Sequence, residues 1–94
     1  FAHLIGAVNP ATQSPVWAQD DTQPGRGSFP TSRWQNGEVI VDEYRLNLAA
    51  LPRGQYQIEI GMYNLETGAR VRSVDATGAP MESNRVVFER ISLP

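Results

Sequence analysis

The sequence predicts an all-β fold: an antiparallel β-sandwich of six to seven strands, jelly-roll or immunoglobulin-like in outline. Three observations predict it. Residues 55–62 alternate, with Tyr56, Ile58, Ile60 and Met62 against Gln55, Gln57, Glu59 and Gly61. That period of two marks a strand with one dry and one wet face. Turn signals recur at close spacing, as at Asn9-Pro10, Asn36-Gly37, Pro52-Arg53-Gly54 and Thr67-Gly68, which suits short antiparallel strands. No segment carries a helical period.

Residues 1–94 form a single domain, long enough for one core. Phe1–Val8 reads as the first strand, ending at Asn9-Pro10. Val16–Asp20 is the second. Asp21–Arg33, with Pro24, Gly25, Gly27 and Pro30, is a long loop packed by its own Phe29. Asn36-Gly37 turns the chain into Glu38–Leu48, a long strand whose even positions, Ile40, Asp42, Tyr44, Leu46 and Leu48, form the better core face. Asp42 on that face is expected to be half-buried or buried and paired, since an unpaired buried carboxylate is costly. Gln55–Val74 is the central hairpin, with Gly68 at positive φ where its turn ends. Asp75–Ser83 is a loop and Arg85–Leu93 the last strand. The expected core is Leu4, Trp34, Ile40, Tyr44, Leu46, Leu48, Tyr56, Ile58, Ile60, Met62, Val87 and Ile91.

A net charge of −2 disfavours a nucleic-acid surface, which needs a basic face. All eight basic residues are Arg, and there is no Cys, hence no disulfide and no thiolate chemistry. No run approaches the ~20 apolar residues of a membrane-spanning helix. The chain opens at Phe1 without Met and reads as strand at once, which predicts a piece of a longer protein.

The residue types that carry chemistry are thinly spread. His3 is the only His and, without a nearby ligand set, is expected to be a hydrogen-bonded strand residue. Asp20 and Asp21 are adjacent carboxylates that could hold a hard cation with loop carbonyls, but turn capping is the stronger expectation. Trp17, Trp34 and Tyr63 are the candidate ligand-binding residues: Trp34 as a flat platform for a sugar ring, against a plug at the end of the sandwich, and Trp17 with Tyr63 as an exposed aromatic strip, against scattered surface aromatics. Asp42 and Glu59 could be imagined as a glycosidase pair, yet Glu59 falls on the wet face. Gly25-Arg26-Gly27 lacks the strand and helix of a phosphate loop. No cofactor is expected.

Three stretches carry a family resemblance. They are His3-Leu4; Pro30-Thr31-Ser32-Arg33-Trp34-Gln35-Asn36-Gly37-Glu38 running on to Asp42-Glu43-Tyr44; and Leu51-Pro52-Arg53-Gly54-Gln55-Tyr56 with Gly61-Met62-Tyr63-Asn64 and Thr67-Gly68-Ala69-Arg70. Together they resemble the C-terminal β-domain of bacterial multi-spanning membrane glycosyltransferases, proteins similar to dolichyl-phosphate-mannose–protein mannosyltransferases. The resemblance covers the whole chain, but its motifs are turn and core residues. It implies an extracytoplasmic accessory module beside a membrane enzyme, with no catalytic residue carried over to this chain. The implied partners are carbohydrate or the parent transmembrane domain. That family's domain has one or two strands before the opening one, so the Phe1–Val8 edge is expected to be open and to favour a homodimer. A small free-standing hydrolase or a purely structural interaction domain is the alternative. A hydrolase would need a nucleophile or carboxylate pair in a cleft.

Overall fold

The computed structural model describes the backbone of residues 1–94 and every side chain except that of Glu89. Four strands form one antiparallel sheet: β1 (Ala2–Asn9), β2 (Ser14–Asp20), β3 (Gly54–Ile60) and β4 (Val86–Leu93). Their order is β2-β1-β3-β4. Short 3₁₀ turns at Pro24–Gly27, Thr31–Arg33 and Glu82–Asn84 are the only helical segments. The all-β antiparallel class is therefore established, with the ladder running through these four strands.

β1 is central, and Phe1 to Leu4 are all buried. Four consecutive buried residues mean that both faces of the strand are covered. The register places His3 opposite Glu59 and Leu4 opposite Ile58, and Ala2 opposite Asp20. Alternation then sorts the sheet into two faces. One carries Ala2, Leu4, Tyr56, Ile58 and Asp20. The other carries Phe1, His3, Glu59 and Asp21.

This arrangement corrects the expected dimer edge. Phe1–Val8 does not lie at an edge, because β2 and β3 flank β1 on its two sides and pair with it on both sides over Ala2–Ile5.

Glu38–Leu48 is not a ladder strand. Its alternation survives, with Ile40, Asp42, Tyr44, Leu46 and Leu48 half-buried and the odd positions exposed. What it lacks is a neighbouring backbone. Asp20 Oδ2 accepts the Arg45 amide at 2.8 Å, and Asp42 Oδ1 accepts the Gly25 amide at 2.9 Å. Side-chain carboxylates thus tie the segment to β2 and the long loop in place of strand pairing. The paired, half-buried Asp42 is as expected.

The central hairpin is also shorter than expected. Its turn closes through Gly68 N–H to Asn64 O at 2.7 Å, with Gly68 at φ 73°. Beyond it only Tyr63 and Arg70 form a bridge. β3 spends its ladder on β1 and β4, so the return arm has no place in the sheet.

The core is small. Leu4 is fully buried and Tyr56 nearly so, while Trp34, Ile60, Met62 and Val87, all expected inside, are 37–40% exposed. A register shift between Gln57 and Ile58 in the β3–β4 ladder accompanies this loosening. The accessible surface is 7061 Å² for 10.4 kDa, against about 5,400 Å² expected for a monomer of that mass. The radius of gyration of 14.7 Å likewise exceeds the ~12 Å expected.

Tyr56 anchors the entry to β3. Its ring lies under Gly6, where a Cβ would meet Tyr56 Cδ1 at 2.9 Å. Its hydroxyl donates to Pro52 O at 2.7 Å. Tyr56→Phe leaves that carbonyl without its partner and should cost about 1 kcal/mol in urea unfolding with an unchanged slope. A loss within ~0.3 kcal/mol would show that water replaces the hydroxyl freely.

Candidate functional site

The polar face of the sheet gathers charges from five separated positions. β1 supplies His3 and β3 supplies Glu59, facing each other across the ladder. Glu59 Oε1 lies 2.8 Å from His3 Nδ1, and Asp21 Oδ1 lies 3.0 Å from His3 Nε2. Arg85, just before β4, donates to Glu59 Oε2. Arg70, from the short hairpin, reaches Glu59 Oε1 at 3.5 Å and donates to Ser83 O at 3.0 Å. Tyr63 donates to Asp21 Oδ2 at 3.1 Å.

Phe1 roofs this cluster. Its ring stacks on His3 with centroids 4.3 Å apart, and the Arg70 guanidinium sits 4.8 Å from the ring centroid. Such a stack fits the planar guanidinium well. Gly61 makes room for the roof, because a Cβ there would lie 2.8 Å from Phe1 Cζ.

Glu59 is 2% exposed, so the solvated role expected of it is overturned. Burial would raise its carboxyl. Hydrogen bonds from Arg85 and His3, with the charges of Arg85 and Arg70, outweigh burial and hold it below the usual carboxylate range. His3 is the hydrogen-bonded strand residue that was expected. A doubly protonated ring donates to both carboxylates; a neutral ring donates to only one. Arg85 Nε is buried without a partner among the described residues.

A second cluster sits on the other face. Arg26 donates from both terminal nitrogens to the Asp20 carboxylate, at 3.1 and 2.5 Å. Those bonds, with the Arg45 amide, lower Asp20. Burial and then the adjacent Asp42 carboxylate push the Tyr44 hydroxyl up to about 12. Two shallow depressions run along this loop, one lined by Phe29, Val39 and Val41 and the other by Arg26, Asp42 and Arg45.

These contacts place each expected site residue. Asp20 and Asp21 part company because successive strand residues face opposite ways: Asp20 goes to Arg26 and Asp21 to His3. Among the described residues no group of three or more His, Cys, Asp or Glu is disposed to hold a metal ion. Trp17 packs edge-on against Tyr56 and donates to Ala7 O at 2.8 Å. Tyr63 lies beside Phe1 on the other face. Trp34 donates to Phe29 O at 3.0 Å within the long loop. Trp17 and Tyr63 therefore lie on opposite faces and do not make one aromatic strip. Asp42 and Glu59 share no partner and lie in different clusters.

Glu59, Arg70 and Arg85 are the residues that sequence reasoning missed. Glu59 and Arg85 are 26 positions apart, and His3 and Glu59 are 56 apart. Periodicity within one segment carries no trace of such pairs. The one available signal was a lone His at the start of a strand.

Chemically the cluster is self-neutralising. Each carboxylate is held by a cation or a hydroxyl, and among the described residues no Ser or Thr hydroxyl touches His3. Its evident effect is to tie β1, β3, the short hairpin and the approach to β4 together. No family model, curated protein or solved structure matches the chain. Among the described residues no helix is long and apolar enough to cross a membrane.

Proposed function

We propose that the chain is a non-catalytic accessory module that packs against a larger parent protein. The observation that carries this is the Glu38–Leu48 segment. It keeps a strand's alternation but has no ladder partner, and its outer side presents Val39 and Val41 at 89% and 87% exposure. Apolar side chains on an unpaired extended backbone fit a surface awaiting cover. The excess accessible surface and the self-neutralised charge cluster support the same function. By its resemblance, the parent is a membrane glycosyltransferase and the module sits on its extracytoplasmic side.

Docked, Glu38–Leu48 becomes a strand of a second layer, and the fold approaches the six- or seven-stranded sandwich. The Tyr56 hydroxyl bonded to Pro52 O supports that outline, since a tyrosine tied to backbone a few residues upstream marks Greek-key sandwiches.

Hydrogen exchange tests it. Amides of residues 39–41 should exchange freely in the isolated chain and at least about tenfold more slowly in the full-length membrane protein. Equal exchange in both would remove the docking role. Release of sugar from any glycoside by the purified chain would overturn its non-catalytic character.

A further inference from the structure

The two edges of the sheet differ. β2 is guarded: Pro15 lacks a ladder donor, and Arg26 and Arg45 close over Asp20. β4 has no Pro in its eight residues, and among the described residues its outer side makes no backbone hydrogen bond.

β4 is also self-complementary. Val86 and Phe88 lie opposite Ile60 and Ile58, while Ile91 and Leu93 lie opposite Tyr56 and Gly54. The register shift between these pairs brings all four residues onto the apolar face. The pattern then reads the same from either end about the midpoint of residues 89 and 90. A twofold axis there sets Val86 against Leu93 of a second copy, Phe88 against Ile91, and Val87 against Ser92. Phe88 and Val87, at 41% and 37% exposure, gain cover.

We propose that the chain forms a twofold dimer by antiparallel pairing of β4 with β4 of a second copy, continuing the sheet through both molecules. The dimer is independent of any membrane enzyme, and its interface is separate from residues 39–41.

Sedimentation equilibrium of the wild type should show twice the 10.4 kDa chain mass at high concentration and dissociation on dilution. Val87→Lys with Ser92→Lys sets like charges opposite each other twice across the axis and should weaken the dimer about tenfold or more. The corresponding double Glu variant should do the same, and an equimolar mixture of the two should restore association. Circular dichroism checks that each variant folds. A second measurement avoids charged variants: a spin label on Ser92→Cys, the only thiol, should report Cα atoms about 17 Å apart across the axis, five positions at ~3.4 Å. A wild type that stays at monomer mass up to about 1 mM would overturn the proposal. So would a double Lys variant that associates undiminished, or a dimer without the label distance.

Discussion

Glu59→Gln should destabilise the fold by about 3 kcal/mol, read as a lower urea midpoint at constant slope. Removing one member of a buried ion pair strands the others, at roughly 3–5 kcal/mol. Here the lower end applies, because Arg70 and Arg85 keep 33% and 24% of their side chains in solvent and can recover part of their hydration. The double variant Glu59→Met, Arg85→Met should lose less than the single change, since an apolar pair leaves fewer charges unmatched. A loss within ~0.5 kcal/mol for Glu59→Gln would place the carboxylate in solvent.

The same residue sets an acid limb. Its carboxyl sits below the usual range in the folded chain, whereas the unfolded chain titrates near the ordinary ~4.3. The unfolded state therefore takes up protons first as pH falls. Glu59 contributes its full stability above that unfolded value and loses it as pH drops through the folded one. The gap between wild type and Glu59→Gln should thus be widest near neutrality and close below about pH 4. A gap that stays constant with pH would detach the effect from the carboxylate's charge.

Strand identity was legible where local pattern and pairing coincide. Ala2–Asn9, Gly54–Ile60 and Val86–Leu93 lie where alternation and turns put them, and the Asn36-Gly37 turn forms with Gly37 at φ 82°. Glu38–Leu48 shows the limit. Alternation reports which side of a chain meets apolar atoms, not whether a second backbone lies beside it. Its inward residues were legible; its lack of a ladder was not. The charge cluster was illegible for another reason. Glu59 looked wet because its strand neighbours Ile58 and Ile60 are apolar, which presumes a single buried face. β3 sits beside a central strand covered on both faces, and there a polar residue is buried when distant Arg residues neutralise it.

Leu4→Ala should cost about 3 kcal/mol, whereas Ile60→Ala, on the same face of the adjacent strand β3, should cost about 1 kcal/mol or less. Leu4 is 0% exposed at the centre of β1, opposite Ile58 on one side and Ala18 on the other. Truncation there removes buried methyl groups and leaves a cavity walled by two paired strands, which cannot collapse without breaking the ladder. Ile60 ends β3 and is 38% exposed, so much of its surface is already in water and the gap it leaves opens to solvent. Periodicity alone ranks the two residues equally, as apolar members of dry strand faces. Only their position along the strand separates them: Leu4 sits within the paired stretch of β1, whereas Ile60 is the last residue of β3. Equal losses from urea unfolding would mean that the apolar face is covered evenly out to Ile60, leaving little uncovered surface there. A Leu4 loss below ~1 kcal/mol would instead mean that β1 does not form the centre of the core.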